Sequence, residues 1–137
     1  MRVVFADTSF WIATLNPADS LHTRAIDVYS GLGAHRLYTS EMVLTEVFNS
    51  LADEGANIRK AVVAFESQLR QQANVVMVPQ TSSDFRAAVR FYEQRLDQEW
   101  GLTDCASFIV MQRENITEAL TYDHHFEQAG FVALLRT

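Results

Sequence analysis

Four acidic residues, Asp7, Glu46, Asp104 and Asp123, stand where carboxylates could act together. Asp7 and Asp123 each follow a short apolar run that is typical of a buried strand. Parallel strands end at the same edge of a sheet, and α/β domains form their sites in the crevice beyond that edge. We therefore expect these two carboxylates at one rim of the fold.

The other two acids lie on predicted helices. In the helix after Ser40, Glu46 lies at the rim of the apolar face, so its side chain can point along that face. The apolar face consists of Val43, Leu44, Val47, Phe48 and Leu51. Asp104 stands at the head of a helix that is apolar nearly all round, which is typical of a central, buried helix. A carboxylate in that position is costly to bury unless it has a partner.

Each carboxylate also has a simpler structural explanation. Asp is common at helix starts and strand ends, so Asp7 and Asp123 could each cap a helix or stabilise a loop. Glu46 could be solvated on its helix surface. Asp104 could be held by the helix dipole alone, an interaction worth at most about 1 kcal/mol at ordinary exposed sites. Only convergence of all four carboxylates in space would distinguish the functional interpretation from these structural explanations.

Convergence of the four carboxylates would need a source of positive charge. Two like charges about 4 Å apart repel by about 4 kcal/mol at an effective dielectric constant near 20. No Lys or Arg neighbours any of the four along the chain, and the sequence has neither clustered Cys nor spaced His ligands. An all-oxygen site of this kind indicates Mg²⁺ or Mn²⁺ rather than Zn²⁺. A bound dication would also reverse the local field, so that an acidic protein can hold a phosphodiester.

Alternating strands and helices must position these acids. The apolar patterns predict strands over Val3–Ala6, His35–Thr39, Val75–Val78, Glu118–Tyr122 and Phe131–Leu135. They predict helices over Thr8–Leu15, Asp19–Leu32, Ser40–Gly55, Ile58–Gln72, Thr81–Gln98 and Thr103–Asn115. This alternation predicts a three-layer α/β/α fold with a mainly parallel sheet, in one domain over residues 1–137. The order of the strands is not readable from the sequence.

Composition limits the classes of function. Seventeen acidic and eleven basic residues give a net charge of −6, which argues against a broad basic surface for nonspecific nucleic-acid binding. Ten of the eleven basic residues are arginine, however, and arginine suits bidentate contacts with phosphate. The longest apolar runs have five residues, far below the roughly 20 that a membrane-spanning helix needs. With a single cysteine, Cys105, and no visible export signal, we expect a protein of the reducing cytoplasm.

The order and spacing of these motifs resemble the PIN-domain nucleases, most closely the small ribonuclease toxins of bacterial and archaeal toxin–antitoxin pairs. The resemblance covers essentially the whole chain. It rests on Asp7-Thr8-Ser9, Thr45-Glu46, Leu102-Thr103-Asp104, and Leu120-Thr121-Tyr122-Asp123 followed by Phe126. Each motif alone is weak, but together their order and spacing are quite specific.

The resemblance implies a metal-dependent endoribonuclease in which a metal-activated water cleaves RNA to leave 5′-phosphate and 3′-hydroxyl ends. The implied ligands of Mg²⁺ or Mn²⁺, directly or through water, are Asp7, Glu46, Asp104 and Asp123. The residues implied to lie beside them as hydrogen-bonding partners are Ser9, Asn49 and Thr121. The resemblance also implies a homodimer and a cognate antitoxin that covers the acidic crevice.

Two other functions stay open on the residues alone. An aspartyl-phosphate phosphatase would have a second Asp where this chain has Ser9, and a receiver domain would have a late lysine, whereas Lys60 is the only lysine here. A catalytically silent α/β module would use the acidic crevice to receive an arginine from a partner. His124 and His125 match no family motif, and as adjacent histidines on a predicted loop they are expected to be solvent-exposed.

Overall fold

A parallel sheet of five strands forms the centre of the protein in the computed structural model, which describes all 137 residues. The strands are β1 (Arg2–Ala6), β2 (His35–Ser40), β3 (Val75–Val78), β4 (Glu118–Leu120) and β5 (Val132–Ala133). Their order across the sheet is β3-β2-β1-β4-β5, and every neighbouring pair is parallel. β1 therefore lies between the strand that follows it in sequence and a strand from the C-terminal part of the chain.

Seven helices connect and cover these strands. They are α1 (Thr8–Leu15), α2 (His22–Ser30), α3 (Glu41–Ser50), α4 (Ala56–Gln71), α5 (Ser82–Gln94), α6 (Leu102–Arg113) and α7 (His124–Gln128). The arrangement confirms the predicted three-layer α/β/α fold with a parallel sheet. None of the helices combines the length and the apolar character needed to cross a membrane.

The core lies around β1 and α6. Val4, Phe5 and Ala6 of β1 are fully buried, as expected for the central strand of a parallel sheet covered on both faces. α6 buries six of its residues, which agrees with its apolar pattern on nearly all sides. A single cluster of 27 buried hydrophobic residues contains both elements.

Two helices in the first half of the chain are shorter than their sequence patterns predict. α2 begins at His22 rather than Asp19, because the Asp19 carboxylate accepts the Leu21 amide at 2.9 Å and holds a turn before the helix. α3 ends at Ser50 rather than Gly55. Gly55 has a φ of +94°, a conformation that favours glycine, and α4 begins directly after it.

The last third of the chain differs more from the prediction. α5 ends at Gln94 rather than Gln98, and β4 and β5 are both shorter than predicted. The segment predicted as a loop after β4 begins a short helix, α7. This helix forms there because the Asp123 carboxylate accepts the His125 amide at 2.9 Å and caps the first turn.

Candidate active site

The edge of the sheet between β1 and β4 brings together residues that are far apart in sequence. β1 and β4 are neighbouring parallel strands, so Asp7, directly after β1, and Asp123, shortly after β4, lie at the same edge. The chain passes from β1 to β2 on one side, while β4 occupies the other side of β1. A parallel sheet opens a crevice at such a switch point.

Asp7 is buried, with only 4% of its surface exposed. Its Oδ2 accepts a hydrogen bond from the Thr121 hydroxyl at 3.0 Å. Burial raises the pKa of Asp7 to about 7; the Thr8 amide opposes this shift, whereas the carboxylates of Asp104 and Asp123 add to it. Ionised Asp7 is therefore unfavourable in the protein alone, and a nearby cation would stabilise it.

The Thr121 hydroxyl links Asp7 to the strand ends around it. It donates to Asp7 and accepts from the Asp123 amide at 3.0 Å. Because its one hydrogen is already used, the Ser9 hydroxyl must be the donor in the Ser9–Thr121 contact of 3.2 Å. The Ser9 oxygen in turn accepts from the Tyr122 amide at 3.2 Å. Ser9 and Thr121 thus join the start of α1 to the end of β4 and orient the Asp7 carboxylate.

Asp104 faces Asp123 across the imidazole of His125. The Asp104 Oδ2 accepts from the Gly101 amide at 3.0 Å and lies 3.1 Å from the His125 Nδ1. The same Nδ1 lies 3.3 Å from the Asp123 Oδ1. Burial raises the pKa of Asp104 and the Asp123 charge adds to the shift, while the Gly101 amide and His125 act against it.

The expectation that both histidines are solvent-exposed is wrong for His125. Its side chain is only 19% exposed, compared with 58% for His124, whose Nδ1 lies 3.7 Å from the Asp123 Oδ1. The Asp123 cap turns the chain into α7, and this turn directs the second histidine inwards. A T-Y-D-H-H pattern alone could have indicated a helix cap two residues before His125.

Glu46 reaches this edge from the packing of α3 against α1. Its side chain is exposed, and its Oε1 accepts from the hydroxyl of Thr8, the residue that follows Asp7, at 2.9 Å. The apolar face of α3 is buried as predicted at Val43 and Val47, but Phe48 is 37% exposed, contrary to the prediction. No element of the fold fully covers that turn of α3.

Asn49 forms no hydrogen bond with any of the four acids in this structure. It is exposed and lines an apolar groove between α3 and α4, with a volume of about 640 Å³, whose other lining residues include Phe48 and Val63. This groove is the largest cavity of the protein and contains none of the four acids. The predicted role of Asn49 beside the metal ligands stays a prediction.

A divalent cation fits the donor set at the sheet edge. None of the ion pairs formed by Lys or Arg involves Asp7, Glu46, Asp104 or Asp123. The donors are carboxylate oxygens, the ligands that Mg²⁺ and Mn²⁺ favour. Ligand atoms of Asp123, His124 and His125 also lie within 4.8 Å of one another, so imidazole nitrogens border the site.

Cys105 does not take part in this chemistry. It is fully buried in α6, and burial raises the pKa of its thiol to about 11, with the Asp104 charge adding to the shift. A thiol that resists ionisation is a poor nucleophile.

The sequence and the fold are similar to those of known nucleases. The PIN domain family model matches residues 4–132. The 23S rRNA-specific endonuclease VapC20 of Mycobacterium tuberculosis is 32% identical over 131 residues, which cover 95% of this chain and 96% of that protein. The crystal structure of that VapC20, described as a sarcin–ricin loop cleaving toxin, superposes with a TM-score of 0.83 and 29% identity over 94% of this chain and 96% of the other.

Two more distant structures share the fold. FitAcB from Neisseria gonorrhoeae superposes with a TM-score of 0.61 and 15% identity, over 95% of this chain and 94% of the other. VapBC2 from Rickettsia felis, bound to a DNA fragment from its promoter, gives a TM-score of 0.62 and 11% identity, over 96% of each chain. At these identities the likeness concerns the fold alone.

Proposed function

The chain belongs to the PIN-domain family, and on that premise we propose that it is a divalent-metal-dependent endoribonuclease. The observation that carries the proposal is the convergence of Asp7, Asp104 and Asp123 at one edge of the sheet, where none of the three forms an ion pair with a Lys or Arg. A cluster with only a structural role would be expected to contain its own cation, because buried like charges repel strongly.

Asp7, Asp104 and Asp123 would hold the ion, and Glu46 would approach it from α3. The donor set favours Mg²⁺ or Mn²⁺. Such an ion supplies a bound water of lowered pKa and neutralises negative charge on a phosphodiester.

The chain's own residues orient the ligands. The Thr121 hydroxyl, itself held by Ser9, fixes the rotation of the Asp7 carboxylate. His125 contacts Asp104 and Asp123 with one nitrogen and so limits their separation. Partners of this kind typically change metal affinity by 10- to 100-fold when they are removed.

RNA is the proposed substrate, with ribosomal RNA the first candidate because the relative at 32% identity is named for 23S rRNA. By the same likeness we propose that the chain is the toxin of a toxin–antitoxin pair and that it acts as a homodimer in the cytoplasm. The apolar groove between α3 and α4 offers a surface to a protein partner such as an antitoxin. We further propose that residues 1–137 act as one PIN-like domain, because one cluster of 27 buried residues includes residues of β1, β2 and β4 and of most of the helices.

Cleavage of RNA by the purified protein tests the proposed activity. Total cellular RNA is incubated with Mg²⁺ or Mn²⁺, with and without EDTA, beside the Asp104→Asn variant and a matched Asp53→Asn variant at an exposed turn position. We expect metal-dependent cleavage that Asp104→Asn removes and Asp53→Asn retains, with 5′-phosphate product ends. Cleavage that survives both EDTA and Asp104→Asn would refute the proposal. No cleavage, together with tight binding of an arginine-bearing partner peptide, would favour a silent module instead.

A further inference from the structure

Tyr122 is an exposed aromatic residue inside the acidic edge of the sheet, between Thr121 and Asp123 in sequence. The residue is 42% exposed, although its amide donates to the Ser9 oxygen at 3.2 Å. The guanidinium carbon of Arg136 lies 4.9 Å from the centre of the Tyr122 ring. The ring is therefore held against a cation and still presents surface to solvent beside the proposed metal ligands.

Two arginines are anchored at this edge with donors to spare. Arg136 donates from Nη1 to the Tyr122 carbonyl at 3.1 Å, and its Nε forms an ion pair with the Glu127 carboxylate at 2.9 Å. Arg24 donates from Nη1 to the Leu135 carbonyl at 2.6 Å and has no carboxylate partner. Because a guanidinium carries five N–H groups, both side chains keep free donors. Leu135 and Arg136 follow β5, the neighbour of β4, so both cations lie near the ends of these strands.

Because the protein is acidic overall, an RNA ligand needs local positive charge near the site, and Arg24 and Arg136 are candidates to supply it. With a net charge of −6, the chain repels RNA at long range, and the acidic cluster adds to that repulsion. Other arginines are committed to carboxylates elsewhere on the surface, namely Arg2, Arg70, Arg95 and Arg113. A phosphate backbone that approaches the acidic edge meets Arg24, which has no carboxylate partner, and Arg136, which is paired with Glu127 but keeps free N–H donors.

We propose that Tyr122, Arg136 and Arg24 form a binding subsite for an unpaired RNA segment beside the acidic cluster. The Tyr122 ring stacks on one base, and the two guanidiniums contact phosphates next to the bond that is cut. Proteins recognise unpaired RNA by stacking splayed bases on aromatic side chains, whereas a duplex keeps its base faces covered. The subsite deepens the proposed nuclease function and rests on it, since it names the residues of this chain that would hold the substrate beside the acidic cluster.

Binding without cleavage tests the stacking contact. Fluorescence anisotropy with a labelled single strand of about 12 nucleotides is measured in the Asp104→Asn background, which keeps the RNA intact. We expect Tyr122→Leu to weaken binding about tenfold, within the range measured for one base stacked on an aromatic side chain. Tyr122→Phe, which keeps the ring, should stay within about twofold. The matched control is Tyr92→Leu, which removes an exposed tyrosine from α5 and should change nothing.

The salt dependence of the same binding tests the phosphate contacts. Each phosphate contact to a single strand contributes about −0.7 to the slope of log K against log salt concentration. Arg136→Gln and Arg24→Gln should each reduce the slope by about that amount. Arg90→Gln, at an exposed position of α5, should leave it unchanged. A duplex of the same sequence should compete poorly with the single strand.

The outcomes separate this subsite from the proposed nuclease function. If the wild-type protein cleaves RNA but Tyr122→Leu binds as tightly as its parent, or Arg90→Gln lowers the slope as much as Arg136→Gln, the subsite is wrong and the nuclease stands. If the wild-type protein neither binds nor cleaves RNA, the nuclease function itself fails. Thermal melting of each variant and the Tyr122→Phe result distinguish a lost contact from a lost fold.

Discussion

Two groups of acidic side chains in this protein carry their charge in opposite ways. In the first group, Arg70 of α4 forms ion pairs with Glu41, at the start of α3, and with Glu66 of α4. The Gln80 amide also donates to Glu41 at 2.8 Å. The Gln80 amide, and then Arg70, hold the pKa of Glu41 below its usual value. This group, here called the arginine-paired cluster, ties α3, α4 and the segment after β3 together.

At the sheet edge the pKa shifts of the acidic residues have the opposite direction. None of Asp7, Asp104 and Asp123 forms an ion pair with a Lys or Arg, and burial raises the pKa of Asp7 and Asp104. The arginine-paired cluster contains a permanent cation, whereas the basic groups that contact the acids of the sheet edge are the imidazoles of His124 and His125. The acidic cluster thus lowers the stability of the protein at the position where we propose that the ion binds. Such a loss of stability is common at functional sites.

The largest expected contrast between the two clusters is in catalysis. Asp7→Asn should lower the rate of RNA cleavage by about 10³-fold or more, because a metal ion contributes several kcal/mol of transition-state stabilisation. Glu41→Gln should stay within about twofold, since it only alters the arginine-paired cluster. Initial rates at saturating Mn²⁺ measure both, and equal losses in the two variants would remove the distinction.

The second contrast is in stability without metal. The pKa of folded Asp7 is about 7 against an ordinary value of 3.8. The stabilisation linked to protonated Asp7 is complete below pH 3.8 and is lost as the pH rises through about 7. At pH 8 the ionised carboxylate costs on the order of 4 kcal/mol of unfolding free energy.

Asp7→Asn should therefore raise the melting temperature in EDTA at pH 8 and have little effect near pH 4. Mn²⁺ should stabilise the wild-type protein at pH 8 and not the variant, since only a binding protein gains from the ligand. Calorimetric melts over this pH range provide the measurement. If the melting temperatures of the wild type and Asp7→Asn differ by the same amount at every pH, ionisation of Asp7 does not destabilise the folded protein.

A third contrast lies between adjacent histidines of the sheet edge. His125→Ala should weaken Mn²⁺ binding by about 10- to 100-fold, because it removes the contact shared by Asp104 and Asp123. His125→Asn places an amide N–H near the position of Nδ1 and should recover most of the affinity. His124→Ala, at the exposed neighbour, should have the smaller effect. Titration calorimetry measures the Mn²⁺ affinity of all three variants. If His124→Ala loses as much affinity as His125→Ala or more, His125 is not the histidine that orients the ligands.

The smallest expected effect is on the arginine-paired cluster itself. Glu41→Gln should lower the unfolding free energy by no more than about 1 kcal/mol, as is usual for partly exposed ion pairs. Glu41→Gln should thus destabilise the protein, whereas Asp7→Asn should stabilise it at pH 8. The affinity of the protein for Mn²⁺ should not change in Glu41→Gln. Urea unfolding in EDTA gives the value, and stabilisation by Glu41→Gln would contradict the comparison.

The sequence predicts much of the fold and part of the site, for physical reasons that differ between residues. Apolar runs and their alternation follow from burial, so the parallel α/β architecture is readable. The meeting of Asp7 with Asp123 follows from the shared direction of parallel strands. Their roles as ligands, like that of Glu46, stay predictions.

The differences at His125 and Phe48 arise from features that apolar periodicity does not report. His125 turns inwards only because Asp123 caps α7, a side-chain event that apolar periodicity does not report. Phe48 and Asn49 lie on a turn of α3 that borders a groove rather than a covering element. A helix pattern shows which residues share a face, but not whether another element covers that face.

The most direct test of the account is the position of a bound ion. Crystals of the protein grown with Mn²⁺ should show an anomalous scattering peak between the carboxylates of Asp7, Asp104 and Asp123. Crystals of Asp104→Asn grown in the same way should lack it. A wild-type map with no peak at this edge, or with manganese bound only at other carboxylates such as Glu41 and Glu66, would contradict the claim that these acids gather to hold a metal.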